Sequence, residues 1–169
     1  MSKHKNITER KGVEELKHLV SEIGTCLFCT TLSMDQIEST RPMTVLETDD
    51  EGNLWFFSDA NSNKNHEIQK ESEVRLFFAH PGKNSYVVMH GDAEIIFDQA
   101  KINELWSPSA KIWFKGGKDD PSVSLIKVSP ETAYYWDEEG NRMINFFKML
   151  ASVATGKDLL GGKEGEIHL

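Results

Sequence analysis

Between residues 8 and 23 the apolar side chains fall at Val13, Leu16, Leu19, Val20 and Ile23, the spacing of one helical face. Thr8 is placed to cap this helix at its start, and Gly24 to stop it. From Thr25 onward the period shortens to two. Alternating or short apolar runs predict strands over 25–32, 41–48, 54–58, 74–79 and 85–98, with turn residues in "DDEGN" (49–53) and "HPGKN" (80–84). A short helix is expected over 64–71 and another over 99–106, ended by Pro108. A loop with embedded aromatics, "SPSAKIWFKGGKDDP", leads to two late strands, 124–129 and 132–136, and the turn "DEEGN". A helical pattern returns from Met143 to Ala154, ahead of a Gly-rich tail expected to be mobile. Gly91 interrupts the longest strand and predicts a bulge or bend, so that one strand serves two sides of a small barrel.

These elements predict one domain: an N-terminal helix (8–23), a barrel (25–137) and a C-terminal helix with tail (143–169). The class is mainly β, a small antiparallel β-barrel with peripheral helices. The βαβ rhythm of a dinucleotide fold is missing, as are GxGxxG and P-loop motifs. At 169 residues, 38% hydrophobic and 27% charged, the chain has the make-up of a folded domain with no membrane-spanning stretch. No secretory signal is read at the N-terminus, so a cytoplasmic location is expected. A net charge of −8 with scattered arginines (Arg10, Arg41, Arg75, Arg142) argues against nucleic acid as a partner.

Cys26 and Cys29 have CxxC spacing, but a strand places the two thiols on opposite faces, where burial explains them better than redox or metal chemistry. The six histidines form no metal motif, so no metal is expected. Three stretches carry candidate chemistry. In "FFSDANSNK" (56–64) an aromatic strand runs into a polar turn that ends on a lysine. Turn amides, the hydroxyls of Ser58 and Ser62, the amides of Asn61 and Asn63, and the charge of Lys64 at a helix entrance suit a phosphate monoester. The same residues also serve as a polar loop with Ser62 or Asn63 as N-cap. In "RPMTVLE" (41–47), Pro42 predicts a strand start or edge, and Arg41, Met43 and Val45 share a face. That face suits a planar heteroaromatic ligand, or places Arg41 in an ion pair with a carboxylate. The third stretch is the aromatic loop holding Trp106, Trp113 and Phe114 beside Lys111 and Lys115, fit to cover a ligand, seal a subunit interface or pack in the core.

Taken in order, "RPMTVLE", "LWFFSDANSNK" and "FFAHPGKNSYVVMHGDAEI" resemble the pyridoxamine 5′-phosphate oxidase-like FMN-binding split-barrel family. "ELWSPSAKIWFKGGKDDP" is similar to its general stress protein 26 branch, and the likeness runs from about Thr25 to Trp136. The resemblance implies an antiparallel Greek-key split barrel and a homodimer with FMN in clefts at the subunit interface. It puts the strand Arg41, Pro42, Met43, Thr44, Val45, Leu46 along the flavin and matches Phe57 and Ser58 to the family's aromatic-hydroxyl pair. Lys64 keeps the spacing of the family's phosphate-binding lysine, whereas Asn63 stands where the oxidases carry Arg. Tyr86 stands in place of a flavin-contacting Gln. Trp106, Lys111 and Trp113 are the candidates for contributions from the second subunit.

The Arg-rich C-terminal segment of the true oxidases is missing, with only Arg142 in that region, so vitamin B6 oxidation is not expected. The resemblance implies an FMN-dependent oxidoreductase of unknown substrate; a nicotinamide or another small molecule is an option for the reductant, which nothing in the sequence specifies. The alternatives are a flavin carrier or sensor without turnover and, less favoured, a haem- or deazaflavin-binding barrel using His66, His80 or His90 as a haem ligand.

Overall fold

The computed structural model describes residues 2–30, 39–137 and 140–145, with side chains between 12 and 136. Helix α1 (Ser2–Ile23) is followed by β1 (Thr25–Cys29), β2 (Thr40–Thr44), β3 (Glu47–Thr48) and β4 (Leu54–Asp59). Then come α2 (Asn63–Lys70), β5 (Glu73–His80), β6 (Ser85–Ile96), α3 (Gln99–Leu105), β7 (Val123–Asp137) and β8 (Gly140–Asn145). All strand pairs are antiparallel. They form one eight-stranded sheet in the order β2-β1-β5-β6-β7-β4-β3, with β8 paired to β7 off this path.

The two ends of that order, β2 and β3, are joined by Val45 and Leu46 alone. So short a link spans roughly 10 Å at most. The sheet therefore curls until its first and last strands nearly meet, which makes it a barrel. The expected single strand over 41–48 is thus two strands. Val45 N donates to Gly24 O (2.9 Å) and Leu46 N to Trp55 O (2.8 Å), the point where the chain changes partner from β1 to β4.

The core is built by the inward residues of this sheet, including Phe28, Phe56, Leu76, Phe78, Met89 and Val128. Phe28 and Phe56 meet edge to face at 5.3 Å. Helix α1 adds Val13, Leu16 and Val20, packing against β3 and β5. At the predicted interruption, Gly91 marks a register shift between β6 and β7. A Cβ there would lie 2.4 Å from Ser129 O and 2.9 Å from Pro130 Cα. Only glycine allows this approach.

Several expected boundaries differ. α1 starts at Ser2 rather than at a Thr8 cap, because nothing between Ser2 and Thr8 breaks a helix. The two late strands are one, β7. Pro130 lies between the β4 ladder (to Val128) and the β8 ladder (from Thr132), so its missing N–H costs neither of them a bond. Residues 143–145, expected to open a helix, belong to β8 because they extend the ladder on β7; the remainder of that expected helix, and the tail, lie outside the described residues. The "DDEGN" turn is as expected, with Gly52 at φ +87° and the Asp49 carboxylate accepting from Glu51 N and Asn53 N.

Candidate functional site

Ser58 ends the buried face of β4, and seven residues later Asn65 lies in the first turn of α2. Both are buried, and a buried polar group must find a partner. Ser58 Oγ donates to Asn65 Oδ1 at 2.5 Å, and Asn65 Nδ2 donates to Ser124 Oγ at 3.0 Å. Ser124 Oγ in turn donates to Ser58 O at 2.9 Å. This closed ring fixes α2 onto β4 and β7. Ser62 caps the helix by accepting from Asn65 N at 3.3 Å, one of the two caps anticipated. Lys64 bends back over the turn, and its ammonium donates to Ser58 Oγ and to Ser62 Oγ, the latter at 3.2 Å.

Lys64 is half-buried, and that burial, together with the nearby Arg41 charge, lowers its pKa from 10.5 to about 8. Asp59 and Glu67 pull weakly the other way. A lysine held against its own solvation gains from an arriving anion. Arg41, on the inner side of β2, reaches toward the same place. Its Nη2 lies 3.1 Å from Glu67 Oε2 and its Nη1 donates to Thr30 Oγ1 at 3.2 Å. Thr30 Oγ1 also donates to Glu67 Oε2. The ion pair foreseen as one option for Arg41 is therefore present, within the same charged cluster as Lys64.

Met43 and Val45 share the Arg41 side of the strand and pack against the core, as the period predicts. Pro42 and Thr44 face outward and are exposed. β2 is an end strand of the sheet order, as Pro42 suggested. Tyr86, 40% exposed, lines a shallow apolar depression of about 360 Å³ together with Pro42, Leu27 and Phe77. A larger cleft of about 490 Å³ lies between α1 and residues 45–48, lined by groups such as Lys17, Ser21 and Glu47; Arg41, Ser58, Ser62 and Lys64 do not border it.

Phe57 is not brought to Ser58. Alternation along β4 sends its ring to the opposite face, where it meets Trp106 (5.5 Å) and Phe114 (6.0 Å) edge-on in a second apolar cluster. Trp106 packs on these rings and stays partly exposed. Lys111 is exposed in the 3₁₀ turn Pro108–Ile112, and Trp113 just after it is 81% exposed. Asn63 is exposed at the first position of α2, and Asn61, also exposed, donates its N–H to Asp59 Oδ1 at 2.8 Å. Sequence reasoning missed Thr30, Asn65, Glu67 and Ser124. Glu67 was findable, since it lies one helical turn after Lys64. Ser124 carried no signal, because only the β4–β7 register sets it opposite Ser58.

Cys26 is buried, which pushes its thiol up to about 12, while Cys29 is half-buried on the other face. His66 is exposed on α2, His80 ends β5, and His90 Nδ1 lies 3.5 Å from Glu131 Oε2 beside the bulge. No cluster of metal-ligating residues occurs among the described residues, and no helix there is long and apolar enough to cross a membrane.

Known proteins repeat this architecture. General stress protein 26 of Bacillus anthracis superposes with a TM-score of 0.64 at 22% identity, covering 79% of this chain and 97% of that one. The general stress FMN/FAD binding protein of Xanthomonas citri gives a TM-score of 0.64 at 24% identity over 76% of this chain and 89% of that one. At these identities the likeness shows a common split-barrel fold. Protein bli-3 of Neurospora crassa is 26% identical over 137 residues; the match covers 76% of this chain, which spans 66% of that protein's length. The family model described as pyridoxamine 5′-phosphate oxidase like matches residues 11–159. With most of its length matched and its barrel shared, the chain belongs to the pyridoxamine 5′-phosphate oxidase like family.

Proposed function

We propose that this chain is an FMN-binding, stress-associated flavoprotein that works as a homodimer and transfers electrons to or from a small substrate. The observation that carries the reading is the half-buried Lys64, set between two hydroxyls at a helix entrance with Arg41 nearby. Such a cluster fits a phosphate monoester, because a dianion replaces the solvation that Lys64 loses and meets the amide dipoles of the first turn of α2. The Xanthomonas relative, by its name a binder of FMN or FAD, supports a flavin as the bearer of that phosphate. When bound, the flavin supplies hydride chemistry at its ring, and the protein's share is to hold and orient it.

The outer face of the sheet supports the dimer. Pro42, Leu27, Phe77, Val88 and Tyr134 are successive cross-strand neighbours over five strands, with Leu27 51% and Phe77 40% exposed. A continuous apolar stripe of this kind marks a contact surface. A second copy seated there would cover Pro42 and Tyr86 and finish an apolar slot for the flavin ring. Trp113 and Lys111, exposed on their loop, are the groups proposed to reach the partner's site.

The test is the bound chromophore. Protein purified with added FMN should release FMN on denaturation, identified by chromatography and mass. Rapid bleaching by NADPH or NADH, followed by reoxidation with an acceptor, supports turnover. FMN that binds but resists these donors supports the carrier or sensor reading, and a haem spectrum or no uptake of flavin rejects the proposal.

A further inference from the structure

Glu67 is paired with one cation of the site, Arg41, and acts electrostatically on the other, Lys64. Its carboxylate accepts from Arg41 Nη2 at 3.1 Å and from Thr30 Oγ1, while Arg41 Nη1 reaches the same Thr30 oxygen at 3.2 Å. Thr30 is fully buried, and its backbone N–H donates to Ser39 O at 3.1 Å. The guanidinium is therefore held by a three-membered bridge across the end of β1, β2 and α2. Lys64 feels Arg41 from β2, Asp59 from β4 and Glu67 from its own helix. Two cations thus face two carboxylates, and a phosphate monoester, close to dianionic at neutral pH, arrives at a cluster with little net charge.

We propose that Glu67 is a positioning residue that orients Arg41 toward the phosphate while its charge restrains the affinity of the site for dianions. This rests on the flavin-phosphate reading above. The two roles act in opposite directions and can be separated. Glu67→Gln keeps an oxygen for Arg41 and Thr30 but removes the charge. Glu67→Ala removes both.

Binding of FMN and of riboflavin, which lacks the phosphate, is followed by quenching of flavin fluorescence in the intact protein. For Glu67→Gln the expected result is FMN affinity raised on the order of threefold to tenfold, the effect of one unit charge removed from a partly solvated site. Riboflavin affinity should stay unchanged. For Glu67→Ala FMN affinity should fall below that of the Gln variant, because Arg41 loses its acceptor. Since Glu67 favours the charged form of Lys64, the loss of FMN affinity on raising pH should also begin at lower pH in Glu67→Gln. FMN binding by Glu67→Gln that is weaker than wild type, a parallel change for riboflavin, or an unmoved pH onset overturns the inference. Should Glu67→Ala fail to fold, the Gln arm and its pH onset decide alone. Lys64→Met separates the two levels. If it leaves FMN affinity intact, the phosphate reading falls and this inference with it; if it weakens FMN while Glu67→Gln matches wild type in affinity and pH onset, only the role of Glu67 falls.

Discussion

Replacing Lys64 by Met tests the physical centre of the site. Methionine keeps the length of the stem over the turn and removes the ammonium that bonds Ser58 and Ser62. A hydrogen bond to a charged group contributes roughly 1.5–3 kcal/mol. FMN affinity should therefore fall on the order of tenfold to a hundredfold, whereas riboflavin should bind as before. The pH dependence sharpens this. In the free protein burial sets the Lys64 pKa at about 8. A bound dianion favours the ammonium and raises that pKa, so binding above about pH 8 must take up a proton. Wild-type FMN affinity should be level between about pH 7, where the phosphate is a dianion, and about pH 8, and decline above that; the Met variant should lack this decline.

Folding gives an independent readout with its own sign. The native pKa lies below the unfolded 10.5, so between about pH 8 and 10.5 the unfolded chain holds more protons at this position. Stability then rises with pH across that window. The difference in melting temperature between Lys64→Met and wild type, each without flavin, should favour the variant near pH 7 and shrink toward pH 10. Equal losses of FMN and riboflavin affinity, or a melting difference that does not change with pH, would refute the reasoning.

Gly91→Ala should destabilise the fold by roughly 1–3 kcal/mol, since its Cβ would meet Ser129 O at 2.4 Å; chemical denaturation within 0.5 kcal/mol of wild type (about the scatter of neutral surface changes) would contradict the close approach. Phe77→Asp places a charge in the middle of the apolar stripe, so if the proposed homodimer forms through this face, light scattering should show a dimer for wild type and folded monomers for the variant; a variant that stays dimeric, or a monomeric wild type, would contradict the assignment. Cys26 should stay unlabelled by a thiol reagent at pH 8 in the folded protein, because burial holds its pKa at about 12; rapid labelling at that position would mean the strand opens.

The sheet was legible where alternation and turns agree. In β5 the residues from Glu73 to Ala79 alternate between exposed and buried, and the polar connections at 49–53 and 80–84 lie where turn residues cluster. Gly91 announced its bulge, since a lone glycine in a long strand has few other uses. The stretch of residues 40–48 was less legible, because the change of partner from β1 to β4 at Val45 and Leu46 is set by strands distant in sequence. The late strands were divided at Pro130 for want of knowing that each half of β7 has its own neighbour.

The site divides in the same way. Sequence alone determined the local part: Ser58, Ser62 and Lys64 on one short turn, because a strand that ends in a polar bend before a helix brings near neighbours together whatever surrounds them. It also determined that Arg41 and Met43 share a strand face. Only the tertiary structure decided that Arg41 reaches the same cluster, that Glu67 and Thr30 hold it, and that Ser124 completes the ring behind Ser58. It likewise turned Phe57 toward Trp106, away from the hydroxyl beside it. The reason is physical: residue periodicity states which side of a strand a group occupies, whereas the neighbour on that side is set by register and by the curl of the sheet.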